Sequence, residues 1–199
     1  TEFHYLHHQP GGAPYDNTAE MAERVAAAAD ITGIGLTLLP VHYQYGGCDK
    51  RPLRAGQIRF GNDPERFAKL YEETAKALKF LPSDTRMGVA PHSLRAVGRE
   101  DLIATTKLSK DGPVHMHLAE QIAEVDEVSA FWGKRPVEWL LENADVDENW
   151  CLIHCTQMVE HETLGLAKTG AVAGLCPITE SSLGDGIFDG VRYLGAGGT

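Results

Sequence analysis

The sequence predicts an α/β fold of parallel strands joined by crossover helices. Short apolar runs recur along the 199 residues, and stretches of helical periodicity separate them. A further observation narrows the class. No G-x-G-x-x-G follows the first run and no P-loop occurs, so a nucleotide-binding reading has no support. Six runs are too few to close an eight-stranded barrel, whereas an open doubly wound sheet accepts six.

The first run is Glu2 to Leu6. A Gly- and Pro-bearing loop from His7 to Asn17 leads to a helical pattern from Thr18 to Ala29. The second run, Ile34 to Val41, opens into another long loop, Gln44 to Asn62. Loops of that length in a packed fold tend to carry function. The next helix, Pro64 to Leu81, places Phe67, Leu70, Tyr71, Leu78 and Leu81 at helical spacing. Asp63 stands where an N-cap belongs and Pro64 fits the first helical position. Met87 to Ala90 follows, with a helix from Arg99 to Leu108. Val114 to Leu118 leads to helices Gln121 to Phe131 and Pro136 to Asn143. Cys151 to His154, a helix from Glu160 to Lys168, and Ala171 to Cys176 complete the series, and Gly184-Asp185-Gly186 reads as a turn.

Charge excludes several partners. With 18 basic and 28 acidic residues the formal charge is −10, which opposes a nucleic-acid backbone and a polybasic membrane surface. The most apolar stretch, Val25 to Val41, is cut by Asp30, Gly33, Gly35 and Pro40 and cannot span a bilayer. With no signal peptide read at Thr1, a cytoplasmic location is expected. Cys151 and Cys155 are spaced C-x3-C without a second pair, so Cys48, Cys151, Cys155 and Cys176 are expected to be buried, reduced thiols rather than a zinc site.

In parallel α/β folds chemistry gathers where strands end. Val114-His115-Met116-His117-Leu118 alternates with period two, so the two histidines share one face and the apolar residues the other. Glu120 would point away from His117 if the strand continued, but a turn into the helix at Gln121 lets the two converge. An imidazole on a metal beside a proton-shuttling carboxylate suits water activation. A core histidine followed by a helix-start Glu is the alternative. His154 closes its own run in the same way, and His92 closes the run before His117, with Arg95 nearby as a fork for a carboxylate.

The segments TEFHYLHH, PHSLRAV, PVHMHLAEQ with EV two residues on, GKRPVEWL, WCLIHCTQM, TGAVAGLC and TESSLGDGIFDG are together similar to formimidoylglutamate deiminases of the amidohydrolase superfamily. The resemblance runs nearly end to end. It implies a (β/α)8 TIM barrel in one catalytic domain over residues 1–199, holding one divalent metal, most often Zn2+. It implies His117 as a metal ligand, Glu120 as acid/base, His154 as a catalytic histidine near the attacking water, and Tyr5, His92 and Arg95 as the grip on the glutamate carboxylates. His115 matches no ligand of the family. The family's H-x-H first strand and eighth-strand Asp have no counterpart between Thr1 and Thr199, so the chain is expected to be strands two to seven of an incomplete barrel.

The expected activity is hydrolysis of N-formimino-L-glutamate to N-formyl-L-glutamate and ammonia, a step of histidine degradation. A small-molecule substrate and a homodimer go with it. A deaminase of an aminated ring, guanine or cytosine, is the second enzyme reading, and a non-catalytic barrel fragment the third. Arg95 separates the first two, because a neutral ring needs no carboxylate anchor.

Overall fold

A strand buried on both faces is the signature of a parallel sheet covered by helices. Thr37–His42 is such a strand: Leu38, Leu39, Val41 and His42 are all fully buried. The computed structural model describes residues 1–199. Contacts divide them into two compact units, Thr1–His92 with Ala96–Val114, and Ser93–Arg95 with His115–Thr199.

The first unit holds β1 (Glu2–His4), α1 (Glu20–Thr32), β2 (Thr37–His42), a 3-10 turn at Ala55–Arg59, α2 (Pro64–Ala77), β3 (Arg86–Met87), β4 (Ala90–Pro91) and α3 (Arg99–Thr106). β1 pairs with β2 in parallel, Glu2 opposite Leu38 and His4 opposite Pro40. Opposite faces of β2 feed two clusters. Leu38 packs with Ala22, Ala26 and Ala29 of α1, while Leu39 and Val41 meet Ala90, Phe3 and Tyr5.

Several expected boundaries shift, each for a local reason. The expected strand Met87 to Ala90 is two short strands, β3 and β4, both parallel to β2 in a common register. Gly88 interrupts them: a Cβ there would lie 2.1 Å from the Pro113 carbonyl oxygen, so only glycine permits the approach. α2 begins as expected, with Asp63 accepting from the Arg66 N–H at 2.9 Å. It stops at Ala77 rather than Leu81: the Lys79 and Leu81 N–H groups donate to carbonyls three residues back, Lys76 and Leu78, so the chain continues as tight turns up to Pro82. β1 ends at His4 rather than Leu6 where the chain folds back, the His7 N–H bonding to the Tyr5 carbonyl. α1 runs to Thr32 and stops at Gly33, which takes the left-handed conformation at φ 70°.

The second unit holds β5 (Val114–Leu118), α4 (Ile122–Trp132), α5 (Pro136–Asn143), β6 (Trp150–His154), α6 (Glu160–Ala167), β7 (Val172–Gly174), α7 (Pro177–Leu183) and α8 (Gly190–Gly195). Its strands lie in the order β5-β6-β7, and β6 runs parallel to β7 with Cys151 opposite Val172. α7 and α8 were not expected from periodicity, since both are under two and a half turns long. α7 nonetheless starts with proline, and Gly184 ends it at φ 71°. The Gly184-Asp185-Gly186 turn is present, with Gly186 at φ 109°. No helix is long and apolar enough to cross a membrane.

Candidate active site

The alternation read in β5 holds. Val114, Met116 and Leu118 are buried, whereas His115 and His117 are half-buried on the other face. Strict alternation would send Glu120 away from His117, but the strand does not continue. Ala119 adopts φ 49°, a left-handed conformation that costs a residue with a Cβ about 1–2 kcal/mol. His154 and Cys155, at the end of β6, do the same with φ 76° and 51°. These reversals turn Glu120 toward His154, whose Nε2 stands 3.4 Å from Glu120 Oε1. The rings of His117 and His154 lie 5.4 Å apart.

Hydrogen bonds offset the strain at Ala119. The Glu124 carboxylate accepts the N–H of Ala119 at 3.1 Å and that of Glu120 at 2.9 Å. Bonds to a charged acceptor contribute about 1.5–3 kcal/mol each, enough to outweigh the dihedral penalty. On the carbonyl side the Cys155 N–H donates to Leu118 O and the Gln157 N–H to Ala119 O. The Thr156 hydroxyl donates to Glu120 O at 2.6 Å. The β5–α4 and β6–α6 connections thereby hold each other.

Carboxylates dominate the surroundings. His154, 3% exposed, donates from Nδ1 to Glu180 Oε1 at 3.0 Å, and Glu180 also takes the Cys176 N–H at 2.8 Å. Burial raises the pKa of Glu120, and the Asp185 and Glu124 charges add to the rise while His154 and Arg95 oppose it. A carboxyl so placed holds a proton more readily at neutral pH than a solvated one. Asp185 is buried and accepts from Gln121 Nε2 at 2.9 Å. Arg95 is 3.8 Å from Glu124 and 4.0 Å from Glu120, too far for strong bidentate pairing, and its buried Nε has no partner. The guanidinium therefore balances the charge of the neighbouring carboxylates.

Of the residues singled out in the sequence, Arg95, His117, Glu120 and His154 come together in the second unit. Tyr5 and His92 belong to the first, where they pack in an aromatic group. The Tyr5 ring lies 4.7 Å from Phe60 and 6.2 Å from His92, and His92 lies 4.5 Å from Tyr43. Among the cysteines, only Cys155 is fully buried; Cys48, Cys151 and Cys176 are partly exposed, and none is in a disulfide. Burial pushes the Cys151, Cys155 and Cys176 thiols up, so none is an activated nucleophile. Sequence reading assigned no role to Glu124, Glu180 or Asp185. The signal for Glu124 was its place as the third residue of a helix, from which a Glu reaches back to preceding N–H groups. Glu138 and Glu162 do the same on α5 and α6.

Imidazoles such as those of His117 and His154 are common metal ligands, yet no group of three or more His, Cys, Asp or Glu within these residues could hold an ion. A stable catalytic zinc needs about three protein ligands.

No protein-family profile matches the chain. It is similar to a curated formimidoylglutamate deiminase of Pseudomonas aeruginosa, 43% identical over 198 residues, which are 99% of this chain and 43% of that protein. An amidohydrolase crystal structure from Brucella melitensis superposes with a TM-score of 0.96 at 54% identity, covering 100% of this chain and 44% of that one. An adenosine deaminase from Xanthomonas campestris, solved with bound zinc, matches in fold with a TM-score of 0.75 at 21% identity over 89% of this chain and 38% of that one. The chain thus spans less than half the length of each of these proteins.

Proposed function

Because the chain belongs to the amidohydrolase superfamily, whose fold is the (β/α)8 barrel, we propose that residues 1–199 are part of the catalytic domain of an enzyme that hydrolyses N-formimino-L-glutamate to N-formyl-L-glutamate and ammonia. The observation that carries the reading is the Glu120 carboxyl, its pKa raised by burial, 3.4 Å from His154. In the reaction a water oxygen bonds to the formimino carbon, the C=N bond becomes single, and the C–NH2 bond then breaks. Glu120 takes a proton from the attacking water and gives it to the imino nitrogen, then takes the proton of the new hydroxyl as the C=O bond forms and gives it to the departing nitrogen, which leaves as ammonia. His154, oriented through Nδ1 by Glu180, presents Nε2 to the same region and stabilises charge as the tetrahedral carbon forms. Arg95 is proposed to receive a substrate carboxylate.

A divalent metal, zinc by preference, is part of the proposal, with His117 supplying one ligand. Such an ion would make water acidic enough to ionise near neutral pH. This chain does not assemble a complete donor set, so the other ligands are assigned to polypeptide outside residues 1–199, and no step above depends on the ion. The isolated chain is accordingly expected to bind zinc weakly and to be inactive, and stoichiometric tight zinc in it would overturn the ligand assignment. A homodimer, a cytoplasmic setting and a place in histidine degradation complete the proposal.

The test is product analysis. The full-length polypeptide, incubated with N-formimino-L-glutamate, should release ammonia and N-formyl-L-glutamate in equal amounts, and should leave guanine and cytosine untouched. Turnover of a ring amine with none of formiminoglutamate would replace this reading by the ring-deaminase one.

A further inference from the structure

Glu124 has no place in the reaction above, yet it is among the most completely buried carboxylates of the second unit, with its side chain 0% exposed. A buried charge must be hydrogen-bonded or it destabilises the fold, and both Glu124 oxygens are spent on two consecutive backbone amides, Ala119 and Glu120. Those amides bracket the left-handed residue, Ala119 at φ 49°. An alanine does not adopt that conformation unaided. With Ala119 in ordinary extended backbone, Glu120 would follow the strand alternation and leave His154.

We propose that Glu124 is a positioning residue: its carboxylate holds the reversed turn at Ala119 and thereby sets the Glu120 carboxylate against His154. Thr156 grips the same turn from the carbonyl side, bonding to Glu120 O, so the turn is clamped on both edges. Arg95, 3.8 Å away, offsets the buried charge of Glu124. The catalytic consequence rests on Glu120 being the proton carrier, whereas the placement itself does not.

Two measurements on Glu124→Gln, Ala119→Gly and the double variant test this. A glutamine offers one acceptor oxygen and turns an NH2 against the other amide, so one of the two bonds is lost. Amide hydrogen exchange at Ala119 and Glu120, read in the full-length polypeptide, should speed up in Glu124→Gln while the amides of β5 stay protected. In the full-length polypeptide kcat should fall on the order of 10–100-fold with KM nearly unchanged, the scale of misplacing a reacting group by about 1 Å. Glycine enters the left-handed region without strain, so adding Ala119→Gly should restore several-fold of the lost kcat. A carboxylate with only a packing role would not be rescued that way. Unchanged exchange and kcat in Glu124→Gln would overturn the proposal. So would a loss of kcat that Ala119→Gly leaves untouched. If Glu124→Gln does not fold, Glu124→Asp, one methylene shorter, takes its place under the same criteria. If the full-length polypeptide has no activity on formiminoglutamate, the functional reading fails and the exchange result alone decides the placement of Glu124.

Discussion

Histidines are buried in both units and do opposite things. In the first unit His4, His7, His8 and His42 are all nearly inaccessible. His4 and His7 meet edge to face at 5.1 Å, and His42 stacks flat on Phe67 at 4.4 Å. Their partners are neutral: His7 bonds to Val41 O, His8 to Gly61 O and Asn62, His42 to Thr105. Burial lowers His4 and His42 to about 4 and His7 to about 3. In the second unit His154 is as deeply buried, but it stands between Glu180 and Glu120. Burial without a charged partner leaves the first-unit imidazoles neutral rings of the core, while His154 has a carboxylate beside each ring nitrogen. Burial is common to both units, so the neighbours decide the role.

The sharpest way to break this contrast is Glu120→Gln in the full-length polypeptide. Turnover should fall about 10²–10⁴-fold, the usual contribution of a general acid–base group, with metal content preserved. Steady-state kinetics with metal analysis would check it, and loss of metal would make Glu120 a ligand instead.

On the structural side, Phe67→Ala removes the ring that covers His42. It should cost about 3–5 kcal/mol of stability by denaturant unfolding of this chain. The His154–Glu120 region belongs to the other unit and should keep its NMR shifts.

Acid comes next in size. The folded-state pKa values of His4, His7 and His42 lie below that of an unfolded histidine, 6.5, so the unfolded chain takes up protons first as pH falls. Their stabilisation is complete above pH 6.5 and is lost as pH drops toward about 4, on the order of 3 kcal/mol for His4 or His42. Unfolding free energy measured between pH 7 and 4.5 should decline, and a flat profile would mean that these rings are solvated. The raised pKa of Glu120 has the opposite sign: as pH falls the folded chain takes up this proton before the unfolded chain does, so the group favours the folded state on the acid side. In kinetics it should set an acid limb above the usual carboxylate range.

The smallest effect belongs to Asp63→Ala, which deletes the cap of α2 and should cost about 1 kcal/mol by thermal unfolding. It sharpens the comparison as a control, since it should weaken the first unit without altering the His154 ring signals.

Much of the fold was legible. All six apolar runs contain strands, the six expected helices form, and the start of α2 was readable from Asp63 and Pro64. Strand ends were less so, because Gly88 interrupts β3–β4 through contact with Pro113, 25 positions on by the numbering of the sequence. For the candidate site, period two put His115 and His117 on one face, and the closing positions of β5 and β6 singled out Glu120 and His154. What escaped was the support: alanine gives no hint of a left-handed turn, and Glu124 looked like an ordinary acidic residue in a first helical turn.

By itself the sequence determined the periodicities, the caps and the inventory of imidazoles and carboxylates, because these depend on neighbours within a few positions. Only the tertiary structure decided which imidazole meets which carboxylate. His154 and Glu180 are 26 residues apart, and Thr156 and Glu120 are 36 apart, so their contacts arise from how strands and helices pack. The protonation chemistry follows from that packing, since burial and nearby charge shift a titrating group while its residue type supplies only the starting value.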